Sequence, residues 1–180
     1  MPEELIIQQA SPTLAGLKTG SLFTCPFQSE MQIRADIEQL NERLAPKGVQ
    51  LRILRLRRRA LLYLYRPSHL QKDFAEDDVA EILSAYGYSA GDVEGCISRL
   101  GEKICACEDF PHEIGLFLGY PAEDVRGFIE GGACKCVGCW KVYGDADSAR
   151  QRFAMFRKCT KVYSRLYERG KSIERLTVNS

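Results

Sequence analysis

No apolar run in this 180-residue chain approaches the ~18 residues that a bilayer-spanning helix needs, so no transmembrane segment is expected. The opening MPEELIIQQA places acids where a secretory signal carries basic residues. Together these absences predict a soluble, cytoplasmic chain. Net charge is missing too: 25 basic side chains face 24 acidic ones, leaving +1. That balance argues against a dedicated nucleic-acid binder and against an acidic tail protein. Nor is there a catalytic signature. No Ser, Cys or His triad can be assembled, no phosphate-loop spacing occurs, and neither a paired C-x2-C zinc pattern nor a four-cysteine cluster motif is present. What the chain has instead is length enough to bury a core without cross-links, eight cysteines and a strongly uneven distribution of charge.

Residues 1–66 carry 10 basic and 6 acidic side chains, residues 67–133 carry 4 and 14, and residues 134–180 carry 11 and 4. The sequence therefore reads as an α+β core built from its two ends, 1–66 and 134–180, with an acidic helical subdomain inserted at 67–133. In the first end, SPTLAGLKTG is a proline- and glycine-punctuated opening to the strand SLFTC. An amphipathic helix follows from about Ser29 to Leu44, closed by Pro46 and Gly48. VQLRILRLR and ALLYLYRP form a hairpin whose alternation breaks at Ile53 and Leu54, a sign of a bulge or of burial on both faces. In the second end, GCWKVY is a fourth strand, and Asp145 or Asp147 caps a long helix that Gly170 closes. The order β, α, β, β, insert, β, α predicts a small antiparallel sheet with flanking helices, compatible with a ferredoxin-like topology.

Within the insert, residues 81–97 align without a gap on residues 113–129 at a period of 32, with Gly87/Gly119, Tyr88/Tyr120 and Asp92/Asp124 among the identical pairs. Each unit reads helix, glycine stop, helix, so two repeated helical hairpins are expected to pack as a small bundle. The second unit has the apolar frame of a DNA-reading helix-turn-helix, but Glu123, Asp124 and Glu130 against Arg126 alone would repel a phosphate backbone. The densest basic feature is the hairpin, with Arg52, Arg55, Arg57, Arg58, Arg59 and Arg66 beside Tyr63 and Tyr65. Arginines beside aromatics can hold RNA or a phosphorylated ligand; pairing with the acidic segment that follows is the favoured reading.

Four blocks, SPTLAGLKTGSLF, LLYLYRPSHLQKDF, FPHEIGLFLGYPAEDVRGFI and GCWKVYGDADSARQRFAMFRKC, together span nearly the whole chain. They resemble a bacterial family, common in Firmicutes, that is catalogued as a domain of unknown function. The resemblance implies a cytosolic protein and brings no reaction with it. Where the family pattern has Gly-Tyr before Trp-Lys-Val-Tyr, this chain has Gly138-Cys139.

Three classes of function are compatible with these residues. The first is binding of a small, anionic molecule, with or without catalysis. Ser11, Thr13 and Lys18 sit among glycines that let backbone N–H groups approach an anion, His112 and Glu113 open a helix after Pro111, and Tyr120, Trp140 and Lys141 are candidate pocket walls. Of these, Lys18, His112 and Glu113 are the candidates for acid–base work; helix capping is the alternative role for the His112–Glu113 pair. The second is a thiolate centre for zinc or an iron–sulfur cluster, which requires Cys134, Cys136 and Cys139 to meet Cys105 and Cys107; reduced, unligated thiols are the alternative. The third is an interaction module whose acidic helical insert engages a basic protein partner.

Overall fold

A computed structural model describes residues 3–107 and 109–179. Its organising element is β3 (Ala60–Tyr65), in which every residue of ALLYLY is buried. β3 is the central strand of an antiparallel sheet of order β1-β3-β2, flanked by β1 (Gly20–Cys25) and β2 (Gln50–Leu56). A strand covered on both faces needs a continuous apolar run rather than an alternating one. The β2 register shifts between Ile53 and Arg55, where the alternation of the sequence breaks.

The two faces of β3 feed two separate cores. Leu62 and Leu64 pack with α1 (Glu3–Leu14), α2 (Glu30–Leu44) and α9 (Ile173–Leu176). Leu61, Tyr63 and Tyr65 pack with the helices of the middle segment: α3 (Pro67–Phe74), α4 (Asp77–Ala85), α5 (Val93–Ala106), α6 (Ile114–Phe117) and α7 (Ala122–Ile129). Ser29 accepts from Gln32 N–H to cap α2, and Gly48 ends that region at φ 74°. Among the described residues no helix is long and apolar enough to cross a membrane.

The chain is thus α+β with a small antiparallel sheet and flanking helices, but the expected fourth strand does not join the sheet. Residues around Trp140 form a separate ribbon, β4 (Cys136–Val137) with β5 (Lys141–Val142). Gly138 N–H donates to Trp140 O at 3.0 Å, closing a turn that splits GCWKVY into pieces too short to extend β1 or β2. Trp140 and Val142 instead pack with Ala149, Phe153 and Phe156 of α8 (Ala146–Glu168) in a third core. Among the described residues the sheet has three strands with helices on both faces: β1 and β2 lie on either side of β3, joined by a crossover through α2, and the fourth strand of a ferredoxin-like sheet is not among them. α8 starts at the expected cap, Asp145, whose carboxylate accepts from Asp147 and Ser148 N–H.

The glycine turns of the middle segment share a backbone pattern. Tyr88 N–H donates to Leu83 O at 2.9 Å and Tyr120 N–H to Gly115 O at 3.0 Å, around Gly87 and Gly119 at φ 79° and 71°. The flanking helices differ in length, nine and fourteen residues in one case, four and eight in the other.

Three of the six hairpin arginines reach the acidic segment, while Arg59 bonds Thr24 of β1. Arg52 pairs with Glu94, while Arg55 and Arg57 donate to the Ile104 and Cys105 carbonyls at the C-terminal end of α5, where orphan carbonyls favour cations. Arg66 is fully buried and donates to Thr13 O and Leu14 O, each at 2.7 Å, and to Val178 O at 2.8 Å. It therefore ties the end of α1 to β3 and to the C-terminal segment.

Candidate functional site

The loop after α1 is where the molecule leaves a charge unanswered. SPTL forms the last turn of α1 rather than a glycine-rich cradle: Ser11 donates to Ile7 O, Thr13 bonds Ser21 at 2.8 Å, and both are buried. Neither lines the cleft beside this loop. Lys18, four residues past the helix, does. It lines a cleft of about 530 Å³ together with Thr19, with His69 and Asp73 of α3, with Tyr120 of the α6–α7 turn and with Arg152 of α8. That volume suits a small metabolite.

The walls are fixed by close contacts. Thr19 Oγ donates to Asp73 Oδ2 at 2.5 Å, and Thr19 O accepts Arg66 N–H at 2.9 Å. A Cβ on Gly119 would come within 2.8 Å of Thr19 Oγ, so only glycine lets the α6–α7 turn dock here. Likewise a Cβ on Gly20 would meet Phe117 O at 2.6 Å, next to the Tyr63 hydroxyl that donates to that carbonyl.

The electrostatics of the cleft are unusual for a surface. Burial lowers the Lys18 pKa to about 8, against a small opposing pull from the Cys139 thiol. Its Nζ lies 5.4 Å from the Tyr120 ring centroid. Among the described residues no carboxylate pairs with Lys18, although no fully buried side-chain nitrogen or oxygen in that set lacks a hydrogen bond. Burial raises the Asp73 pKa, opposed by the Thr19 hydrogen bond and the His69 charge. Burial also lowers that of His69, aided by Arg66. Burial pushes the Tyr120 hydroxyl up to about 12.

A second cavity of about 240 Å³ lies on the other side of Tyr120, lined by His112, Asp124, Phe128, Trp140 and Lys141. Tyr120 stacks on Trp140 at 4.7 Å, His112 meets Phe128 edge-on at 5.1 Å, and Lys141 Nζ lies 5.5 Å from the Phe128 centroid. Asp124 holds the ribbon in place. It accepts from Trp140 Nε1 at 2.7 Å and from the Tyr143 and Gly144 N–H groups at 2.7 and 2.8 Å. Its counterpart at the earlier glycine turn, Asp92, caps its own helix through Gly95 N–H instead.

The structure thus brings together Lys18, His112, Tyr120, Trp140 and Lys141 around two adjoining cavities. Glu113 lines neither: it is 1% exposed, held by Lys103 at 2.6 Å and by the Tyr88 hydroxyl at 2.9 Å. The five candidate thiols are divided. Cys105 and Cys107 are exposed at the end of α5, and Cys134 and Cys139 are exposed in the ribbon segment with Cys136 half-buried between them. Cys139 stands in the β4–β5 turn rather than inside a strand. Among the described residues no group of three His, Cys, Asp or Glu side chains is placed to hold a metal ion.

Sequence reasoning missed Thr19, His69, Asp73, Asp124 and Arg152 as site residues. The signal was present: His69 and Asp73 stand at i and i+4 on one helix inside LLYLYRPSHLQKDF, and each of the four family-like blocks supplies a wall of the cleft. No curated protein and no solved structure matches the chain. The model of one family, described as protein of unknown function (DUF3793), matches residues 6–177. The chain, whose four blocks all lie within that match, belongs to the DUF3793 family.

Proposed function

We propose that this is a cytoplasmic protein that binds a small anionic molecule in the cleft at Lys18. The observation that carries it is the ammonium of Lys18, half-buried, depressed to about pKa 8 and without a carboxylate partner among the described residues. A cation held in that state is destabilising until an anion arrives, and perturbed groups of this kind collect at binding sites. Arg152 adds a second positive charge to the same walls. Asp73, Glu76 and Asp78 also line the cleft; they would accept hydrogen bonds from a ligand's hydroxyl or amino groups. The ligand class is therefore a small polar molecule with an anionic group at one part and donors at another.

His69 and Asp73, displaced in opposite directions from their ordinary pKa values, favour proton transfer on that ligand as the accompanying chemistry. The thiolate-metal and interaction-module alternatives have no comparable support, since the thiols are divided and the basic hairpin covers α5 of the acidic segment. The test is calorimetric titration with inorganic phosphate and with citrate. Binding near pH 7 that weakens above pH 8 and is lost in Lys18→Met supports the assignment. Absence of heat with both anions, or equal binding by the variant, refutes it.

A further inference from the structure

Lys18 and Phe156 line a second depression besides the cleft, a groove of about 720 Å³ between α1 and α8. From α8 the groove receives Arg157, Lys161 and Arg165, at i, i+4 and i+8. These three share one helix face, about 6 Å apart along the axis. All three are exposed.

Several surface arginines elsewhere are answered by acids. Arg34 pairs with Glu30, Arg43 with Glu3 and Glu174, and Arg126 with Asp78 and Glu81. Along α8 only Arg150 is answered, by Asp147; between Asp147 and Glu168 the helix carries Arg150, Arg152, Arg157, Lys158, Lys161 and Arg165 and no acid. Among the described residues no carboxylate lies within ion-pair distance of Arg157, Lys161 or Arg165. Like charges stacked at i and i+4 repel one another on a helix, so the row opposes folding unless an anion relieves it. Beside the row the groove offers Gln9 and Ser164 as hydrogen-bond donors. Glu168, on the turn after Arg165, ends the positive run and limits the length of the ligand.

We propose that this groove binds a chain of linked phosphoryl groups, so that the ligand entering the Lys18 cleft is a polyphosphorylated small molecule. The link to the cleft rests on the anion-binding role of Lys18. Guanidinium forks match phosphate oxygens in pairs. The row extends about 12 Å along the axis, more than one carboxylate or one phosphate can bridge. A nucleic-acid strand would need aromatic faces on which bases stack, and the aromatic ring lining this groove, Phe156, is buried.

The test compares inorganic tripolyphosphate with orthophosphate by calorimetry on the full chain, using wild type, Lys18→Met and the double variant Lys161→Gln/Arg165→Gln. Both groove substitutions are at exposed positions, so folding is preserved and is checked by the thermal transition. The expected result is tripolyphosphate binding about 100-fold tighter than orthophosphate and falling steeply with salt. The double variant should lose tenfold or more of the tripolyphosphate affinity while its orthophosphate binding stays unchanged. Tripolyphosphate bound no tighter than orthophosphate, or equally well by the double variant, overturns the groove. A single-stranded RNA oligonucleotide bound more tightly than tripolyphosphate overturns the phosphoanhydride assignment in favour of a phosphodiester strand. Tripolyphosphate binding that the double variant abolishes and Lys18→Met leaves intact overturns the Lys18 cleft alone.

Discussion

Replacing Lys18 by methionine should make the protein more stable. Methionine keeps the length of the side chain and its packing against Tyr120 while removing the ammonium. The depression of the pKa from 10.5 to about 8, at about 1.4 kcal/mol per tenfold, corresponds to a penalty on the order of 3 kcal/mol for holding the charge in the fold at pH 7. Lys18 is not sealed from solvent, so screening reduces the expected gain to about 1–2 kcal/mol. The sign of the pH dependence follows from linkage. The folded-state pKa lies below the unfolded one, so between pH 8 and 10.5 the unfolded chain holds the extra proton and wild-type stability rises with pH. Urea unfolding of both proteins should therefore show the full gap at pH 7 and almost none at pH 10.5, with unchanged m values. A variant less stable than wild type at pH 7, with the same pH slope, would mean that the ammonium is well paired in the fold, and would refute the reasoning. Stabilisation on loss of a functional group is the usual mark of a binding site.

Three further outcomes are expected. Asp124→Ala leaves Trp140 Nε1 and the Tyr143 and Gly144 N–H groups without their acceptor, which should cost about 3 kcal/mol; because Trp140 is the one tryptophan, its fluorescence should shift to the red as the ribbon loosens. Arg66→Met strands the Thr13, Leu14 and Val178 carbonyls and should lower the thermal midpoint by roughly 6–12 °C, read by circular dichroism. Glu174 is held down to about 2, first by its hydrogen bond from Arg43, so its contribution is complete above pH 4.5 and is lost as pH falls from there toward 2. Thermal melts between pH 6 and 3 should accordingly show a shallower acid decline in Arg43→Met than in wild type.

The local features of the ends were legible because each has a short-range cause. Ser29 and Asp145 cap their helices as their side chains dictate, Gly48 takes a left-handed φ of 74°, and the bulge follows from the broken alternation at Ile53. The fate of GCWKVY was not legible. Its propensity is that of a strand, and what decides otherwise is the non-local bond between Asp124 and Trp140 together with the packing of Trp140 on Phe153 at 4.6 Å. SPTL was similarly opaque: Pro12 suggests a break and withholds the N–H that would bond Gln8 O, yet α1 runs on to Leu14, where the buried Arg66 holds the helix end. Of the residues that line the two cavities, Lys18, Tyr120, His112, Trp140 and Lys141 were singled out in the sequence. His69, Asp73 and Arg152 were not, because the cleft exists only where α3 and α8, far apart in the chain, come to face the same loop.

The most direct measurement is the titration of Lys18 itself, by reductive methylation with carbon-13 formaldehyde and detection of its dimethylamine signal, assigned through Lys18→Met. The Lys18 amine should titrate near pH 8 and move upward when inorganic phosphate is added, since a bound anion favours the charged form. A signal that titrates near 10.5, as a free lysine does, and ignores phosphate would contradict an anion site at Lys18.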